Sequence, residues 1–114
     1  MISFRNFALS LFTLVIATPA HTLNISGESA TATVYHPWYI GRRTACGEIY
    51  LDTVVSAAHP HLPCGTKLLI QHRNREVPVR INDRCACNID LSTAAAIALG
   101  VPTNGIGRVT IKRL

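Results

Sequence analysis

Residues 80–92, RINDRCACNIDLS, place two aspartates, two arginines and two cysteines in thirteen positions. On the amino-terminal side, EVPVRIN (76–82) mixes β-branched and polar residues as a strand does. On the other side, DLSTAAAIALG (90–100) offers Asp90 or Ser92 as an N-cap, then a run of strong helix formers, then Gly100 with Pro102 just beyond. That pattern predicts one short, mostly apolar helix. A strand that ends in a charged, cysteine-bearing corner and is followed by a helix is the feature from which the fold is read.

Working outward, ATATVYH (30–36), TVVSAA (53–58), TKLLIQHR (66–73) and GRVTIKRL (107–114) are short apolar or β-branched segments separated by Gly, Pro and Asn. Short strands at this spacing predict an all-β barrel rather than alternating βαβ units, with the helix plugging one end. KLLIQHRNREVPVRI reads as a hairpin with residues 72–75 as its polar turn, and Pro78 places its strand at an edge or a bulge.

The first twenty residues carry one positive charge, an apolar run, ALSLFTLVIA, and a small residue at Ala20. They predict a signal peptide, residues 1–20, for export to the periplasm or the medium. The apolar run is shorter than the roughly 20 residues a membrane span needs, and no cysteine lies near the cleavage point for lipid attachment. No stable membrane anchor is expected. Cleavage removes 20 of 114 residues and leaves 94, read as a flexible segment, 21–31, and one domain, 32–114.

So small a domain buries too little surface for a wide stability margin. Its four cysteines, Cys46, Cys64, Cys85 and Cys87, read in an exported chain as two disulfides. Three pairings are possible. A bond between Cys85 and Cys87 would strain a very short ring, so the expectation is Cys46 with Cys87 and Cys64 with Cys85. No paired C-x-x-C knuckle occurs, and neither a metal nor a cofactor is expected. The chain carries +5, or +4 without Arg5, which suits an anionic polymer. No Lys/Arg run exceeds two and no aromatic ladder accompanies them, so nucleic acid is not the expected partner.

Asp83 sits where a strand gives way to a loop, a position from which a carboxyl can work as acid or base. The competing reading is turn chemistry, with Asp83 paired to Arg80 or Arg84. Glu48, in RRTACGEIY, lies in another loop whose Cys46 would tie it to the Asp83 corner. Otherwise it is a solvated residue balancing Arg42 and Arg43. His59, in AAHPHLPCGT, is a third polar candidate, or a satisfied structural histidine. Tyr35, Trp38 and Tyr39 offer aromatic faces to a sugar, or else belong to the core or rim. Thr44 and Arg84 complete the candidate sugar contacts. Asp90 is assigned to helix capping. No Ser-His-Asp elbow, phosphate loop or H-E-x-x-H motif occurs.

In order, ATVYHP, GRRTACGEIY, SAAHPHLPCGTKL, VRINDR and IDLSTAAAIALG resemble the rare lipoprotein A (RlpA-like) family over roughly residues 32–114. The resemblance implies a six-stranded double-psi β-barrel with one or two short helices, shared with expansins and barwin-like proteins. It also implies lytic transglycosylase activity on peptidoglycan, with Glu48, His59 and Asp83 at the functional positions. One carboxyl can serve both proton transfers of a lytic cleavage, with Glu48 and His59 tuning it or holding the sugar. Two departures flank the site: Cys46 replaces an asparagine, and Cys85-Ala86 replaces Gly-Pro in a shortened loop. The expected partner is the peptidoglycan glycan strand, bound by a monomer. The competing function is a non-catalytic wall-binding or wall-loosening module of expansin type.

Overall fold

The computed structural model describes residues 27–114. The expected signal peptide lies outside the described residues. Six strands and one helix follow: β1 Glu28–Val34, β2 Ser56–Ala58, β3 Lys67–His72, β4 Arg75–Asp83, β5 Ile89–Leu91, α1 Thr93–Leu99 and β6 Gly107–Arg113. The strands close into a barrel in the order β1-β5-β2-β4-β3-β6. β1 runs parallel to β5 and β2 parallel to β4, and the remaining neighbours are antiparallel. This mixed, closed sheet is the six-stranded double-psi barrel.

The β3–β4 hairpin follows the expected plan. Pairing runs from Lys67 opposite Arg80 to His72 opposite Arg75, and Arg73 adopts a left-handed φ of 56° at the turn. Alternation sends Leu68 and Ile70 from β3, and Val79 and Ile81 from β4, into the interior. Pro78 faces Leu69 on one side only, because β2 reaches β4 no earlier than Arg80. Its missing N–H therefore leaves no second ladder unmade. In α1, Ser92 is the N-cap: its Oγ accepts from the Ala95 N–H at 3.1 Å and also from Ser56 N–H at 3.1 Å. Gly100 ends the helix at φ 74°. Ala95, Ala96 and Leu99 face the same core as Ala32, Ala57, Ile89 and Leu91.

Three expectations are corrected. Residues 28–31 belong to the barrel rather than to a flexible lead-in, because β6 pairs with them from Glu28 opposite Ile111 onward. Asp90 does not cap the helix. It lies in β5, a strand of three residues, too short to show a period and defined by its neighbours β1 and β2. Finally, the disulfides join Cys46 to Cys64 and Cys85 to Cys87, not Cys46 to Cys87 and Cys64 to Cys85. The Cys85 and Cys87 Cα atoms are 5.2 Å apart, inside the ordinary range of about 4.4–6.8 Å. The backbone bends at residues 86–88, just after β4, and so brings the two neighbouring cysteines together.

The two bridges close loops of very different length. Cys46 and Cys64 are 18 positions apart, Cys85 and Cys87 only 2. Urea denaturation should show the Cys46→Ser/Cys64→Ser variant losing about 3 kcal/mol and the Cys85→Ser/Cys87→Ser variant about 1.5 kcal/mol. Equal losses would contradict this pairing.

Candidate active site

β4 ends on a β-bulge. Ala57 pairs with Ile81 and Ala58 with Asp83, so Asn82 is the extra residue. The bulge breaks strict alternation: Asn82 is buried and turns its amide toward Glu48, while Asp83 comes into register with Ala58. Asp83 accepts three hydrogen bonds. Tyr35 Oη donates to Oδ2 at 2.7 Å, and the backbone N–H groups of Ala45 and Arg84 donate to Oδ1, each at 2.8 Å. Ala45 belongs to the long β1–β2 connection, so Asp83 fastens that connection to the sheet.

Glu48 lies in the same connection but does not join Asp83. Its carboxylate takes a two-point ion pair from Arg80, at 2.7 and 2.9 Å, and a third bond from Asn82 Nδ2 at 3.0 Å. The Arg80 hydrogen bonds, then that of Asn82, hold the Glu48 pKa down to about 2. Held by three donors in this way, Glu48 stays ionised at neutral pH and is suited to positioning rather than to giving up a proton.

His59 is buried at 6% exposure. Its Nδ1 accepts from the N–H groups of His61 and Leu62, both at 3.2 Å, and its backbone N–H donates to the Asp83 carbonyl at 3.1 Å. The ring is therefore the neutral tautomer with the proton on Nε2. Burial lowers its pKa, with the neighbours His61 and Arg84 acting in the same direction. Arg84 reaches back to the carbonyls of His59 and Asp83, each at 3.3 Å.

The aromatic residues divide. Tyr35 is 6% exposed and stacked on Tyr50, with centroids 4.2 Å apart, so it presents no open face to a sugar. Burial, then its bond to Asp83, raises its pKa and keeps the phenol protonated. Trp38 is 57% exposed, and the Arg42 guanidinium lies 3.3 Å from its ring centroid. Tyr39 is also exposed, edge-on to both Trp38 and Tyr35. Thr44 is buried: its N–H donates to the Glu48 carbonyl at 2.8 Å, and its hydroxyl has no partner among the described residues. A cleft of about 700 Å³ opens beside this corner, with Thr33, Tyr35, His36, Ile40, Asp52 and Asn104 in its walls.

Residues 31–111 match the family model described as lytic transglycolase. The chain belongs to the lytic transglycolase family. Among its relatives is an uncharacterised Synechocystis protein, 40% identical over 86 residues that make up 74% of this chain and 96% of that one. Another is the Haemophilus influenzae endolytic peptidoglycan transglycosylase RlpA, 44% identical over 93 residues, or 76% of this chain and 32% of the relative. The chain thus spans about a third of that relative's length. In fold it is similar to the Streptomyces papain inhibitor, with a TM-score of 0.65, 24% identity and coverage of 78% of this chain and 94% of that one. It is similar also to the apo expansin of Clavibacter michiganensis, with a TM-score of 0.63, 23% identity and coverage of 78% and 50%.

Glu48 yields a pH prediction. Its folded pKa lies below the ordinary carboxylate value, so its contribution to stability is complete above about pH 4.5 and is lost as pH falls toward 2. Thermal melts of Glu48→Gln should therefore show lower stability at pH 7 and a shallower loss than wild type between pH 4.5 and 2. An acid limb parallel to that of the wild type would contradict this role.

Proposed function

We propose that this protein is an exported lytic transglycosylase that cuts peptidoglycan glycan strands between MurNAc and GlcNAc and leaves a 1,6-anhydroMurNAc end. Family membership supports the reaction class, and the likeness to the Haemophilus endolytic peptidoglycan transglycosylase supports the substrate. The observation that carries the reading is the placement of Asp83. It is a partly exposed carboxyl at a bulged strand end, anchored by three donors and hydrogen-bonded to a wall residue of the cleft.

In a lytic cleavage the C1–O4 bond breaks while the C6 hydroxyl of the same muramic residue attacks C1. One proton must reach the departing oxygen and one must leave the C6 hydroxyl, so no water need be held in place. Asp83 is the base for the second transfer and, as a carboxylate, stabilises positive charge developing at the anomeric carbon. Its three donors keep it oriented, because moving the carboxyl would break bonds to two different segments.

Glu48 and His59 act through position. Glu48 locks the β1–β2 connection onto Arg80 and Asn82, and His59 closes the turn 59–62 beside the Asp83 backbone. The exposed Trp38 and the Arg42 guanidinium over its ring form the surface over which an anionic glycan approaches.

The purified protein, incubated with peptide-free glycan strands, should release 1,6-anhydromuramyl ends detectable by mass spectrometry. Asp83→Asn should lower that rate by at least about 100-fold without loss of the cooperative melt. Strand binding with no new anhydro ends, in wild type and variant alike, would replace this reading with a non-catalytic wall-binding module.

A further inference from the structure

Ala58 in β2 has two register partners, Asp83 on the β4 side and Asp90 on the β5 side, and Asp90 is in turn opposite Thr33 in β1. Residues directly opposite each other share a face of the sheet. Asp83, Ala58, Asp90 and Thr33 therefore form one row across four strands. With a strand spacing of about 4.8 Å, the two aspartate Cα atoms lie roughly 10 Å apart with only a methyl group between them.

The two carboxyls have opposite surroundings. Asp83 faces three donors. Asp90 has one, the Thr33 hydroxyl at 2.9 Å, and no cation lies within salt-bridge distance of it among the described residues. The titratable groups facing it are Asp83 from β4 and the Tyr35 phenol from the segment after β1, while β1 and β2 present Thr33 and Ala58. Burial, reinforced by the charge on Asp83 and opposed by the Thr33 bond, raises its pKa above the ordinary value. Asp90 nevertheless remains partly exposed. Thr33 and Tyr35, the hydroxyl partners of the two carboxyls, stand in the walls of the same cleft. Two carboxyls on one face of the sheet, one held by three donors and the other by a single hydroxyl, are an arrangement from which an acid and base pair can be built.

We infer that Asp90 is the proton donor to the departing glycosidic oxygen, working opposite Asp83 as base; the inference rests on the transglycosylase reading above. Asp90 gives its proton to O4 as C1–O4 breaks, and Asp83 takes the C6 hydroxyl proton as C1–O6 forms. The net change is one bond exchanged with no water consumed. Solvent then returns a proton to Asp90 and removes one from Asp83.

The test is the pH dependence of kcat/KM for release of anhydro ends from peptide-free glycan, together with a carboxyl-carbon NMR titration of Asp90. Asp90→Asn should lower kcat at least about 100-fold, with KM changed by less than about threefold and the urea midpoint retained. The alkaline limb of the wild-type profile should coincide with the Asp90 titration. Thr33→Val removes the one donor to Asp90 and should move both to higher pH, whereas Asp83→Asn should move the titration to lower pH. A cutting wild type whose folded Asp90→Asn variant keeps activity within about tenfold overturns this inference alone. A wild type that makes no anhydro ends overturns the transglycosylase reading and this inference with it. If Asp90→Asn does not fold, the NMR arm decides: titration of Asp90 in the ordinary range near 4, or an unmoved limb in Thr33→Val, counts against the assignment.

Discussion

Three segments meet on the carboxyl of Asp83: the residue that follows β1, the middle of the β1–β2 connection, and the backbone leaving β4. The connection between β1 and β2 spans 21 residues, 35–55, with one turn of 3-10 helix and a single β-bridge as its regular structure. Little holds such a segment by itself, since ordering each residue costs roughly 1–2 kcal/mol. Asp83 supplies one polar attachment and Glu48 another, the packing of Tyr35 and Tyr50 with Ala58 the apolar one, and Cys46–Cys64 the covalent one. Without the Asp83 contact the Tyr35 ring would lose its side-chain bond to β4 and be tied to the sheet by its backbone N–H to the Leu91 carbonyl at 3.0 Å.

The Glu48–Arg80–Asn82 cluster works on the same connection from its other side. Both partners are about two-fifths exposed, so an isolated pair would contribute little. Its weight comes from geometry: two parallel bonds from one guanidinium and a third from a buried amide fix the carboxylate in one place. The same bonds that fix it keep it ionised. A glutamate so held is suited to positioning a loop and unsuited to giving up a proton.

The double-psi topology also explains why two aspartates seven positions apart share one face. A hairpin joining β4 directly to β5 would have made them neighbours. Here β2 lies between the two strands, parallel to one and antiparallel to the other, so both acids are opposite the same alanine. Small side chains at Ala57 and Ala58 suit that central position. One faces the crowded interior, and the other leaves room beneath the tyrosines.

The strands that have full-length partners were legible, because period-two patterning survives over six or more residues, as in β3 and β4. The helix was legible through Ser92, Gly100 and the alanines between them, all local signals. β5 was not: three residues carry no period, and Asp90 next to a helix start imitates a cap. The bulge at Asn82 was equally hidden, since its cause is the register with β2. Asp83 could be singled out by its place at a strand end, but its true partners, Tyr35 and Ala45, lie 48 and 38 positions away. By itself the sequence determined the all-β class, the hairpin, the helix, the presence of an acidic corner at a strand end and the family. Only the tertiary structure decided which carboxyl meets which donor and which cysteines meet, because those outcomes depend on strand order in the closed barrel and on how the chain curves, neither of which is written in any local pattern.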